Sequence, residues 1–359
     1  QNRLEDALDE IDHSLIRNWH NHKARALKAT ILRMMKRDEE AIKLINESLE
    51  IDEFNFGCRY EKYLITQNEN DLNKMENLIR KEANNYDEIA LDYCAAGCWD
   101  EAASLWDIAI AEEASTAMTY YYSGWCRTQG NLSGAKEAFA KAANACPDYC
   151  FPNRLEAILA LRCAMMTNEK DAKAPYYLGN LYYDKRQYDL AKEAWETSTK
   201  SDDHFPTVWR NLALVYFNKM HEEEKAVECM ERAFALDRSD ARILMELDQL
   251  YKRLQRPYKE RLAFLQCYPN LIAQRDDLLL EESTLLNQTG EYNKAKELLD
   301  KHIFHPWEGG EGKVSGQYQY ARVELAKKAL SEKRYDEAIE LLEECLVYPH
   351  HLGEGKLYC

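Results

Sequence analysis

The sequence predicts an all-α protein: a right-handed α-solenoid of stacked helix-turn-helix repeats, about nine units, some of them degenerate. Three observations carry this expectation. Alanines recur at a nearly fixed period: Ala7 to Ala41 is 34 residues, Ala102 to Ala135 is 33 and Ala191 to Ala226 is 35. Twelve residues before most of these anchors stands another small residue, as at Ala29, Ala90, Ser123, Gly179, Ser283 and Ala326. Only 13 Gly and 8 Pro interrupt the 359 residues, few for a protein of many short strands. Small residues at two fixed points let two helices approach closely, while bulky neighbours fill the groove between them.

The elements follow in order. Residues 1–21 read as the second helix of a unit whose first helix precedes Gln1. The start at Gln1 rather than Met and the stop at Cys359 after a loop read as cut ends. Asp38–Ala41–Ile45 is a loose anchor, and residues 56–82 keep helical periodicity but lose the alanine. Trp99–Ala102–Trp106 and Leu132–Ala135–Phe139 restore it. Only 22 residues then separate Ala135 from Ala157, so the segment 151–170 has room for one helix rather than two. Pro147 and Pro152 in "PDYCFPNR" break the chain before it, and the expected result is a kink at about 147–170. That makes one superhelix over 1–359 with sub-arrays 1–150 and 172–359. Beyond the kink come Tyr188–Ala191–Trp195, Ala226, Tyr292–Ala295–Leu299 and Tyr335–Ala338–Leu342, with Arg261 where one alanine is due.

This pattern resembles the tetratricopeptide repeat: an apolar–small pair, an aromatic, then Ala, a large residue and Ala. The best match is 172–205, through Leu178–Gly179, Tyr182, Tyr188, Ala191 and Trp195, with Ser198 for the last Ala. Residues 206–240 follow, through Leu212–Ala213, Tyr216, Ala226, Met230 and Ala233, with one inserted residue. In such arrays the first helix of each unit lines the concave side. Positions 2, 5, 9 and 12 of the first helix share a stripe. They are Lys173, Tyr176, Asn180 and Tyr183; then Thr207, Arg210, Leu214 and Phe217; then Arg242, Met245, Gln249 and Lys252. Tyr120 and Arg127 fall on the same stripe earlier. The stripe is aromatic and locally basic, which suits an extended acidic or apolar peptide, or a sugar face against Tyr. The alternative is that these tyrosines pack between neighbouring first helices. Asn180 and Asn211 occupy positions of a carboxylate clamp, but Tyr176 stands where that clamp needs Lys, which argues against it.

A second echo lies near the C-terminus. "HPWEGGEGKV" (305–314) aligns with "YPHHLGEGKL" (348–357) at an offset of 43. Neither copy is a phosphate loop: the first Gly of G-x4-G-K-[ST] is missing, and Val314 or Leu357 replaces the Ser or Thr. Two readings are open. The loops are structural connections with glycines in left-handed backbone, or they form a ligand-contacting rim of Trp307, Glu308, Lys313, His350, His351 and Lys356. A Pro-Trp-Glu loop with GEGK inside a repeat array also resembles a bacterial family of unknown function. In that family, tetratricopeptide repeats follow an N-terminal β-rich domain similar to carbohydrate-processing proteins. The resemblance implies that this chain is the helical C-terminal part, with any sugar chemistry outside it.

The net charge of −16 repels a phosphate backbone, which argues against nucleic acid. No apolar run approaches the ~20 residues of a membrane span. The 11 Cys include no C-x2-C and read as reduced, packed thiols of a cytoplasmic protein. No nucleophile elbow, His-Glu-x-x-His pair or dinucleotide loop is present. His302 and His305 read as a helix end rather than metal ligands, so no metal, cofactor or catalytic residue is expected. The expected function is a non-catalytic scaffold that binds a peptide, a protein or an adjacent domain in its concave groove. The alternative is an accessory module of a larger carbohydrate-active or carbohydrate-binding protein.

Overall fold

The computed structural model describes residues 3–353. Among them are 21 α-helices and no strand, an all-α repeat architecture. The chain divides into two compact units, 1–201 and 202–359. No helix of the described residues is long and apolar enough to cross a membrane.

The first unit runs α1 (Leu4–Arg17), α2 (His22–Met34), α3 (Asp38–Ile51), α4 (Phe56–Thr66), α5 (Glu69–Ile79), α6 (Ala83–Ala96), α7 (Trp99–Ala111), α8 (Ala117–Gln129), α9 (Ala135–Asn144), α10 (Glu156–Thr167), α11 (Lys173–Asp184) and α12 (Tyr188–Ser201). The second runs α13 (Pro206–Val215), α14 (Glu223–Leu236), α15 (Ala241–Arg253), α16 (Tyr258–Gln266), α17 (Pro269–Ile272), α18 (Asp276–Gln288), α19 (Tyr292–Lys301), α20 (Lys313–Ser331) and α21 (Tyr335–Glu344). The helices pack as consecutive antiparallel pairs: α2/α3, α4/α5, α6/α7, α8/α9 and α11/α12, then α13/α14, α15/α16, α18/α19 and α20/α21.

A recurring turn joins most pairs. The amides of Arg37, Cys98, Leu132, Gln187, Arg256, Glu291 and Arg334 each donate to the carbonyl five residues back, at 2.8–3.0 Å. This closure satisfies the last carbonyls of the first helix. It requires a left-handed residue inside the turn, supplied by Lys36, Gly97, Asn131, Arg186, Gln255, Gly290 and Lys333. Only two of these are glycines, so turns without glycine explain how a helical array manages with so few.

The anchors do what their size allows. Ala29, Ala41, Ala90, Ala102, Ala191, Ala226, Ala295, Ala326 and Ala338 are almost fully buried. Ala7 is exposed and Ala135 half-buried, so the first and fourth alanine anchors are weaker than their spacing implies. In the best repeat Gly179 lies against the Trp195 indole, where a Cβ would collide with the ring. The inserted residue of 206–240 becomes a π-helical turn, Tyr216–Met220, at the end of α13. A π turn is how a helix absorbs one extra residue without losing its axis.

The segment 151–170 holds the single helix α10, which packs on α8 and α11 inside the first unit. Lacking a second helix of its own, α10 turns Leu159 and Met166 to solvent, and Tyr149, Phe151 and Leu155 in the stretch before it are exposed as well.

Where the alanine is lost, buried polar networks take its place. In α4 the fully buried Glu61 carboxylate accepts from the Thr30 hydroxyl at 2.8 Å and the Tyr93 hydroxyl at 2.6 Å. It also pairs with Arg33 at 2.7 Å, and Arg33 reaches Glu101 of α7 at 2.9 Å. One carboxylate thus ties α4 to α2 and α6. In α16 Arg261 is buried and pairs with Asp248 at 2.6 Å and Glu281 at 2.7 Å, joining α15 and α18. A pair that keeps its alanines carries such a network too: Arg322 of α20 is buried between Asp300 and Glu344, at 2.5 and 2.6 Å. Buried charges persist only when paired in this way.

Candidate binding site

The first unit contains a cleft of about 490 Å³ between α2, the start of α4, and α6. Its shape follows from local sequence. Asn55 caps α4 by accepting from the Cys58 amide at 3.1 Å, and its side-chain amide donates to the His22 carbonyl at 3.3 Å. Gly57 then brings α4 onto α2 so closely that a Cβ there would lie 2.8 Å from the Ala26 Cβ. Pinning α4 at this end leaves the space between α2 and α6 open above it.

The walls are largely apolar. Ala26 and Leu27 come from α2, Phe54 and Phe56 from the turn into α4, and Ile89, Ala95 and Ala96 from α6. Phe54 and Leu27 are 50% and 39% exposed, so apolar surface is accessible at the cleft. The floor is polar but satisfied, since Thr30 and Tyr93 both bond Glu61 beneath it. The rim carries Asp52, Glu88 and Asp92 against Lys23 and His22. The Lys23 ammonium crosses to Asp92 at 2.9 Å, and Glu88 meets Arg154 at 3.5 Å.

The same stripe rule that selects Lys173, Tyr176 and Asn180 in α11 selects Lys23, Ala26, Thr30 and Arg33 in α2, counting from His22. Three of those four line the cleft. The signal was therefore present in the sequence, in the helix pair just before the one that loses its alanine.

The residues expected to line the later stripe are held as follows. In the first unit, Tyr120 is half-buried and accepts from Ser115 at 3.2 Å. Arg127 donates to the Ser133 carbonyl at 3.0 Å and pairs with Asp107 at 2.6 Å. Tyr176 is buried, Asn180 accepts from the Trp195 indole at 3.1 Å, and Tyr183 packs against Tyr188 and Trp195. In the second unit, Arg210 and Arg242 both pair with Glu246, at 2.5 and 3.1 Å. Phe217 lies in the π turn under Arg253, at 5.5 Å. Gln249 is half-buried, and Lys252 pairs with Glu281 at 2.9 Å. Arg127, Arg210, Arg242 and Lys252 therefore each have an acidic partner, and the Lys173 ammonium donates to the Ala145 carbonyl at 2.5 Å, so the cations of the expected stripe are engaged within the chain.

The two C-terminal loops meet. The Phe304 amide donates to the His351 carbonyl at 2.7 Å, and the His351 ring lies 3.2 Å from the Leu299 carbonyl. Gly353, in left-handed backbone, packs on Phe304 so tightly that no side chain fits. Trp307 is half-buried, not exposed: its ring covers Gly310 and joins a core of Leu280, Leu299, Phe304, Val314, Tyr318 and Leu352. Glu308, Lys313 and His350 are exposed, and Lys356 lies outside the described residues. His302 and His305 both bond the Asp276 carboxylate, at 2.7 and 3.0 Å, fastening the loop to the first turn of α18. Those bonds hold the Asp276 carboxyl below its ordinary value against partial burial.

Three buried carboxylates sit elsewhere in the interior. Burial pushes Asp87 up to about 7, although it accepts from the Trp106 indole at 2.8 Å and from Thr119. Asp171 and Asp248 are also raised by burial, opposed by Tyr121 with the Ala174 and Lys173 amides in one case and by Arg261 in the other. Each is committed to bonds between helices. The only cluster of metal-ligating groups among the described residues is the exposed run Asp202, Asp203 and His204.

Comparison with known proteins agrees with the repeat pattern. The family model of the tetratricopeptide repeat matches residues 176–219, from α11 to the π turn after α13. Several solved structures are similar over most of their own length. A Pseudomonas aeruginosa protein, pilF, has 18% identity and a TM-score of 0.35, over 61% of this chain and 89% of that one. YrrB, described as a TPR protein with an unusual peptide-binding site, has 16% identity and a TM-score of 0.25, over 65% and 95%. MamA has 16% identity and a TM-score of 0.32, over 54% and 92%. Residues 176–219 thus match the tetratricopeptide repeat, within an all-α repeat architecture.

Proposed function

We propose that this chain is a non-catalytic interaction module that docks a segment of a partner protein against the first helices of its repeats. The observation that supports the reading is the cleft between α2, α4 and α6, with exposed Leu27 and Phe54 on its walls. Apolar walls give a segment something to bury, and a few rim charges fix its orientation. The buried carboxylates raised by burial, Asp87, Asp171 and Asp248, are bonded inside the helix packing and none lines the cleft, so the chemistry there favours binding over proton transfer. The later stripes, Tyr120 to Tyr183 in the first unit and Arg210 to Lys252 in the second, are each a further docking surface in this reading, with their cations engaged inside the chain.

Phe54→Ala tests the reading. Half-exposed Phe54 contributes little to the fold, so the variant should keep its melting temperature and lose binding to partner-derived peptides by about tenfold or more. Full retention of binding would rule out the cleft.

A further inference from the structure

We infer that the cleft of the first unit takes a cationic, apolar peptide segment: a Lys or Arg side chain next to a Leu- or Phe-sized one. The inference rests on the docking reading above and adds the chemistry of the partner.

The charges at the cleft point one way. Asp52, Glu88 and Asp92 stand at its edge with one ammonium, Lys23, and the His22 imidazole. Counted against Lys23 on Asp92 and Arg154 on Glu88, the three carboxylates still leave the edge net negative, with Asp52 facing the His22 imidazole at 3.8 Å. An acidic segment is therefore repelled there, within a chain whose net charge is −16. Such a field attracts cations and raises their rate of encounter. The chain already shows what this edge accepts, because two of the three carboxylates are engaged by the chain's own cations. Lys23 crosses the cleft to Asp92 at 2.9 Å, and Arg154 comes from outside it to Glu88 at 3.5 Å.

The Lys23–Asp92 pair is also easily exchanged. Both side chains stay open to solvent, 65% and 45% exposed, and a pair of this kind contributes little to stability. A ligand ammonium or guanidinium can replace Lys23 on Asp92 at slight cost, and Lys23 then swings into water. Below the rim, Leu27, Phe54 and Ile89 offer an apolar slot for the neighbouring side chain of the segment. Cation at the edge and apolar anchor in the slot together define the class. Charge alone would hold any basic chain, and apolar walls alone would hold an acidic one as well.

The test uses the full chain and three arrays of blocked eight-residue peptides. One mixes Lys or Arg with Leu or Phe, one Asp or Glu with Leu or Phe, and one Lys or Arg with Ser or Gly. Binding is read by fluorescence anisotropy at low and high salt. The basic–apolar array should bind best, weaken as salt rises, and lose roughly tenfold in the double variant Glu88→Gln/Asp92→Asn. Equal binding of the acidic–apolar array, or unchanged affinity in the double variant, would overturn the ligand class. If Phe54→Ala still weakened binding in that case, the docking reading would survive. Equal binding of the basic–polar array would mean unspecific attraction and would also overturn the class. If no array bound, both the class and the docking reading would fall.

Discussion

Two helix pairs of the same chain solve one packing problem in opposite ways. In α11/α12, Ala191 is fully buried, and two helices meet through small residues with the Trp195 ring on Gly179. In α15/α16 the equivalent residue is Arg261, equally buried, with its guanidinium held by Asp248 and Glu281. The first pair is held by close contact and the second by a charge network that fills a larger space. The lesson is that the helix pair persists where its defining alanine does not, provided every buried charge has a partner.

The contrast can be broken most sharply at Arg261. Arg261→Ala leaves Asp248 and Glu281 buried without their guanidinium and should cost about 3–5 kcal/mol in urea unfolding. Replacing Arg261 and Asp248 together by Met and Leu should recover much of that loss. A loss below about 1 kcal/mol in the single variant would show that the network is not what holds α15 to α16.

Asp87 extends the comparison to a buried carboxyl without a close cation. Its native protonation midpoint, about 7, lies above the ordinary 3.8, so the folded chain binds more protons between these values. Stability from this group therefore falls as pH rises from about 4 to 7 and stays low above. Asp87→Asn keeps an acceptor for Trp106 and should stabilise the chain by about 2 kcal/mol at pH 8, with no gain near pH 4. An equal effect at both pH values would contradict this.

Trp307→Ala should cost about 1–2 kcal/mol, because the half-buried ring covers Gly310 and completes a core cluster. Unchanged stability would restore the loop as an open rim. The smallest effect belongs to Lys23→Ala, under about 0.5 kcal/mol in stability. Binding of basic–apolar peptides should strengthen in that variant, since Lys23 no longer competes for Asp92.

The alanine period made the helix pairs legible, because a small residue at a fixed interval is a local signal of close approach. Residues 176–219, where the pattern is cleanest, are also where the repeat family model matches. The networks were not legible. Glu61 finds Thr30, Arg33 and Tyr93 from 31, 28 and 32 residues away, and no local spacing marks such partners. The basic residues of the later stripe misled for the same reason: Arg210 looks like an open cation until Glu246, 36 residues on, is placed beside it. The cleft lies between these cases. The stripe positions that line it were readable in α2, but its opening depends on Gly57 meeting Ala26, a tertiary approach.

The most direct test of the account maps binding residue by residue. Amide and methyl chemical shifts of the labelled chain would be followed as the tightest basic–apolar peptide is added. The account predicts shifts concentrated at Leu27, Phe54, Ile89 and Asp92. Shifts confined to the stretch from Arg210 to Lys252, with those four residues unmoved, would contradict it.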